Sequence, residues 1–70
     1  MNSDEFIRKI RKIGRKNKKR VKIVSRRGKG SHVTLFYGDS FTIVQKTDNL
    51  KTGTLDAMLK QIGLTIKDFQ

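Results

Sequence analysis

His32 is the only histidine in a 70-residue chain that contains no cysteine, and it closes the run Gly28-Lys29-Gly30-Ser31-His32. Imidazole is the side chain that takes or gives a proton near neutral pH. Residues 1–30 hold 13 Lys/Arg and 2 Asp/Glu, a net of +11, whereas residues 31–70 hold 4 of each class and are neutral. All the excess charge therefore lies upstream of that imidazole. A cationic surface beside a single proton-transfer group suggests chemistry on nucleic acid rather than binding alone.

Cleavage of RNA suits such a set of residues. The ribose 2′-OH is an internal nucleophile, so a proton acceptor, a proton donor and a cation near the phosphate suffice. His32 can act as acceptor or donor, with Lys29, Arg26 or Lys46 as the charge stabiliser. Arg26, Arg27 and Lys29 flank glycines, and a loop carrying Gly28 and Gly30 can approach a phosphate closely while presenting backbone N–H groups. Ser31 either hydrogen-bonds a phosphate or caps the loop. DNA, which lacks the hydroxyl, would be bound but not cut. Tyr37 is a conceivable second proton carrier, with packing as its ordinary role. With no second histidine, no cysteine and, Asp4-Glu5 apart, scattered carboxylates, neither a metal nor a cofactor is expected. The plainer alternative is a solvated basic loop beside a surface histidine.

These side chains need a scaffold, and periodicity supplies one. Asn2 and Glu5 have capping-box spacing, and Phe6, Ile10 and Ile13, with Ile7 beside them, form the apolar stripe of a first helix. Its other face is Arg8, Lys9, Arg11, Lys12 and Arg15, and Gly14 lies near its expected end. Val21 to Arg26, His32 to Tyr37 and Phe41 to Lys46 read as three strands, with Gly38-Asp39-Ser40 as a tight turn. Leu55, Met58, Leu59 and Ile62 mark a second helix that Thr52 or Thr54 would cap and Gly63 would end, with Leu64 folding back. Thr65 and Asp68 have the spacing to begin a last turn around Phe69. The expected fold is α+β: one domain over residues 1–70, ordered α-β-β-β-α, with two helices on one face of a three-stranded antiparallel sheet. Val21, Ile23, Val33, Leu35, Phe41 and Ile43 are expected to face the helices. Lys22, Val24, Arg26, His32, Thr34, Phe36, Thr42, Val44 and Lys46 are expected on the open face.

Gly-Ser-His at 30–32 opening a strand, then Gly53-Thr54-Leu55 and Met58-Leu59-Lys60-Gln61-Ile62-Gly63-Leu64, resembles the HicA family, toxins of bacterial type II toxin–antitoxin pairs. The tail Thr65-Ile66-Lys67-Asp68-Phe69 is similar as well, so the likeness spans residues 28–69. It implies a fold like the double-stranded-RNA-binding domain and an endoribonuclease that cleaves mRNA, with His32 essential. It also implies a HicB-type antitoxin as the partner that covers the site. Two features depart from the family pattern. Val44-Gln45-Lys46-Thr47 stands where many members carry a Pro-x-His-like segment, and the connector from Arg15 to Arg20 is unusually basic. A two-histidine mechanism within one chain is excluded.

Other readings are a non-catalytic RNA-binding module of the same fold and a basic amphipathic helix over residues 5–20 lying on anionic membrane. A pI near 10.6 favours nucleic acid over lipid. No apolar run approaches membrane-spanning length, and the polar, then basic, start lacks a signal-peptide pattern, so a cytoplasmic protein is expected.

Overall fold

A computed structural model of the chain describes residues 1–25 and 31–70. Helix α1 spans Ser3–Lys16, strands β1, β2 and β3 span Val21–Ser25, His32–Tyr37 and Ser40–Gln45, and helices α2 and α3 span Thr52–Gln61 and Ile66–Phe69. The class is α+β, with a three-stranded antiparallel sheet in the order β1-β2-β3.

The helix ends follow local chemistry. Asn2 accepts from the Glu5 backbone N–H at 2.8 Å, and the Glu5 carboxylate accepts in return from the Asn2 N–H at 3.4 Å. A capping box of this kind satisfies two donors that the first turn leaves unpaired. Helix α1 runs two residues past Gly14 to Lys16, with Asn17 as its C-cap, followed by Lys18 in the left-handed region at φ 57°. The Lys19 N–H donates to the Gly14 carbonyl at 2.8 Å, which closes the turn. At the end of α2, Gly63 takes φ 79°, and the Leu64 N–H donates to the Leu59 carbonyl at 2.8 Å. This is a Schellman stop that folds Leu64 onto the core. Neither Thr52 nor Thr54 caps α2: Lys51 holds the cap position and its side chain makes no capping bond. Thr65 and Asp68 form a second capping box around α3.

Phe6 and Ile10 of α1 are fully buried with Leu35, Val44 and Leu59, and the cluster extends through Val33, Tyr37, Met58, Ile62, Leu64 and Phe69. The α1 stripe is thus core, and a membrane role for residues 5–20 has no apolar face left to use. Among the described residues, no helix is long and apolar enough to cross a membrane.

The register corrects the expected faces of β3. Gly38, at φ 59°, and Asp39 form a two-residue hairpin loop that pairs Tyr37 with Ser40, Phe36 with Phe41 and Leu35 with Thr42. Directly paired residues share a face. Because Val33, Leu35 and Tyr37 point into the core, Thr42 and Val44 must do so too. Both are buried, while Phe41 is 56% and Ile43 is 50% exposed. The buried Thr42 hydroxyl donates to the Gln61 side-chain oxygen at the end of α2, so it is not left unpaired. The expectations for Val21, Ile23, Val33 and Leu35 on one side, and for Lys22, Val24 and Phe36 on the other, agree with the burial pattern.

Gly14 allows a close approach. A Cβ there would lie 2.5 Å from Val21 Cγ2 and 3.1 Å from the Lys19 carbonyl oxygen. One neighbour is a stiff β-branched side chain and the other is backbone, so neither yields cheaply. Gly14→Ala is expected to lower unfolding free energy by about 1–3 kcal/mol, despite alanine's higher helix propensity. Denaturant titration checks this.

Candidate nucleic-acid interface

Strand β2 begins at His32, and alternation places His32, Thr34 and Phe36 on the sheet face away from the helices. His32 is exposed and pairs across the sheet with Gln45. Its Nδ1 lies 3.0 Å from the Ser31 hydroxyl oxygen. Either tautomer fits that contact. If Nδ1–H donates to Ser31, Nε2 carries a free lone pair and can accept a proton; if Ser31 donates to Nδ1, Nε2–H is a donor. In both states one hydrogen bond restrains the ring and leaves Nε2 for a ligand. Ser31 is itself held, because the Lys46 N–H donates to its carbonyl at 2.6 Å.

The anchoring continues through the segment after β3. The Ser3 N–H donates to the Thr47 carbonyl at 2.9 Å, the Thr47 N–H donates to the Ser3 hydroxyl at 3.2 Å, and the Leu50 N–H donates to the Met1 carbonyl at 2.7 Å. The strand end that supports Ser31 is therefore fastened to the start of α1. Lys46 stands here, exposed, in a cleft with Asn2, Ser3, Asp4, Thr47 and Asp48. That placement differs from the open face expected for it, because Lys46 follows the same corrected alternation that turns Thr42 and Val44 inward. Its backbone adjoins the imidazole's neighbour, while the residue itself lines a different cleft.

Arg26, Arg27, Lys29 and Gly30, named as phosphate-binding residues from the sequence, lie outside the described residues. The two described residues that flank them are Ser25, paired with Val33, and Ser31, beside His32. Tyr37 is buried, and its hydroxyl accepts from the Asn17 side-chain amide at 3.0 Å. It faces the helices from the opposite end of β2, about 16 Å from His32 along the strand by the usual rise per residue. Tyr37 therefore packs and does not serve His32.

Charge is distributed over two surfaces. Arg8, Arg11, Lys12 and Arg15 are exposed on α1, in the helical layer and so across the sheet from His32. Lys22 lies on the imidazole's own face, paired with Phe36. Among the described residues the recorded ion pair is Lys60–Asp56, which leaves the α1 cations unneutralised by internal pairing. No group of three or more potential metal ligands occurs among the described residues.

The sequence places Phe36 on the open face but turns Phe41 inward, and so misses the exposed ridge at the far end of β2 from His32, where the two rings pair with centroids 5.9 Å apart and planes at 44°. The signal that finds it is the two-residue hairpin, which sets those rings opposite each other. Comparison of the chain with protein-family models, with curated proteins and with solved structures found no match.

Proposed function

We propose that this chain is a metal-independent endoribonuclease, a toxin of the HicA type that cleaves mRNA in the cytoplasm and is neutralised by a HicB-type antitoxin. The observation that carries this reading is the exposed His32 at the start of β2, steadied by Ser31 and preceded in the sequence by a strongly basic segment. In the reaction, Nε2 of His32 accepts the proton of a ribose 2′-OH. The 2′-oxygen bonds to phosphorus, the bond from phosphorus to the 5′-oxygen breaks, and that oxygen takes a proton from water. The products are a 2′,3′-cyclic phosphate and a 5′-hydroxyl. Cations of the segment that includes Arg26, Arg27 and Lys29 offset the charge on phosphate. The antitoxin presents an acidic segment to the same face, so association weakens as salt rises.

The test is incubation of purified protein with an mRNA transcript in excess EDTA. Discrete scission is the expected outcome, and intact RNA under these conditions rejects a metal-free nuclease. A second reading, a non-catalytic RNA-binding module of the same fold, draws on one observation: Tyr37 is turned away from His32, so no second proton carrier was found beside the imidazole among the described residues. Under that reading RNA is retained uncut.

A further inference from the structure

We propose that the open sheet face is a base-stacking platform for single-stranded RNA, on which Phe36 and Phe41 take bases while Arg20 and Lys22 take the adjoining phosphates. The proposal rests on the reading of RNA as the ligand but not on its cleavage. The described open-face positions are Lys22, Val24, His32, Thr34, Phe36, Phe41, Ile43 and Gln45, a surface with apolar and aromatic groups, cations and no carboxylate. Phe41 is more than half exposed and Phe36 more than a third, yet the two rings touch only each other in the aromatic contacts of this face. A flat π-surface left in water beside positive charge fits a ligand that is both planar and anionic.

The cations sit where such a ligand needs them. Arg20, Lys22, Phe36 and Gly38 line one cleft of about 260 Å³, so two cationic residues share a cleft with Phe36. The Gly38 N–H donates to the Arg20 carbonyl at 2.8 Å, which fixes the backbone of that cleft. Phe36 and His32 lie on one face of one strand, about 13 Å apart by the usual rise per residue. A strand of RNA laid along β2 thus meets the rings at one end and the imidazole at the other.

Two observations select this occupant. A duplex hides its base faces in its own stack, so only unpaired bases can use the rings. A second copy of the chain would bring together two faces bearing Lys22 and His32 on molecules of net charge +11, which repel.

The experiment measures binding of a fluorescent 2′-O-methyl oligouridine octamer and a 2′-O-methyl RNA duplex at one fixed salt concentration; neither probe can be cut through its 2′-oxygen. Phe41→Ala is expected to weaken octamer binding about 5- to 150-fold while duplex affinity stays within about twofold. Phe41→Tyr, which keeps the ring, should restore octamer binding and thereby separate stacking from any fault in folding. Unchanged octamer affinity in Phe41→Ala overturns the proposal and leaves the ridge to a protein partner. Equal losses for octamer and duplex overturn it too. If the parent cuts RNA yet binds the octamer independently of Phe41, the platform falls and the nuclease reading stands; Phe41-dependent binding without cutting gives the reverse.

Discussion

His32→Ala is expected to slow RNA scission by a factor on the order of 10²–10⁴, the usual contribution of a positioned proton carrier. The side chain is exposed at a strand start, so the variant should unfold at the parent's denaturant midpoint. Its affinity for uncut RNA should also persist, because phosphate binding draws on lysines and arginines distributed over residues 8–29. Initial rates on a defined transcript, measured beside denaturant unfolding and a binding isotherm, check all three outcomes together. An equal loss of cutting and of binding would assign His32 to RNA affinity instead. In the proposed reaction Ser31 would act as a positioning residue, because its hydroxyl lies 3.0 Å from Nδ1 of His32 and restrains the ring.

Phe6→Ala carries the other large expected effect. Phe6 is fully buried and stacks against Phe69 with centroids 5.4 Å apart, which joins α1 to α3. Truncating a buried phenylalanine costs about 3–5 kcal/mol. A domain of this length is stable by roughly 4–10 kcal/mol in total, so the variant loses a large part of its margin. Lys9 Nζ also lies 4.5 Å from the centre of the Phe69 ring, a contact that needs the ring held in place. Urea unfolding should show a lower midpoint at an unchanged slope, and a midpoint equal to the parent's would contradict this account of the core.

The sequence made much of this architecture legible because its signals are local. Asn2 with Glu5, Thr65 with Asp68, and Gly63 with Leu64 each act within one helical turn, and all three appear in the fold as capping or stop motifs. The inward faces of β1 and β2 follow from alternation. Strand β3 misled because Phe41 and Ile43 are larger and more apolar than Thr42 and Val44, and burial preference alone turns them inward. Register decides otherwise: a two-residue loop at Gly38-Asp39 ties the phase of β3 to that of β2. Thr42 then finds a partner in Gln61, a contact spanning 19 residues that no local pattern reveals. The cap of α2 failed as an expectation for a similar reason, since Lys51 takes the position by backbone geometry alone.

The site was legible to a lesser extent. A strand opening at His32 follows from the glycines before it and the apolar alternation after it. The contact with Ser31 does not follow, because neighbouring residues within a strand point to opposite faces; Ser31 reaches the ring by standing just outside β2. The aromatic ridge was hidden by the error in β3, and it emerges once Phe36 and Phe41 are paired. The basic surface of α1, which carries six of the 17 Lys/Arg, lies across the sheet from the imidazole. Net charge therefore indicates the class of ligand and not the place where chemistry happens.

The most direct measurement is the chemistry of the RNA ends left after digestion in EDTA. Attack by the 2′-oxygen with His32 as proton acceptor leaves a 2′,3′-cyclic phosphate and a 5′-hydroxyl, and a single 2′-deoxy substitution at the scissile nucleotide should block cutting there. Fragments ending in a 3′-hydroxyl and a 5′-phosphate, or cutting that survives the 2′-deoxy substitution, would contradict it.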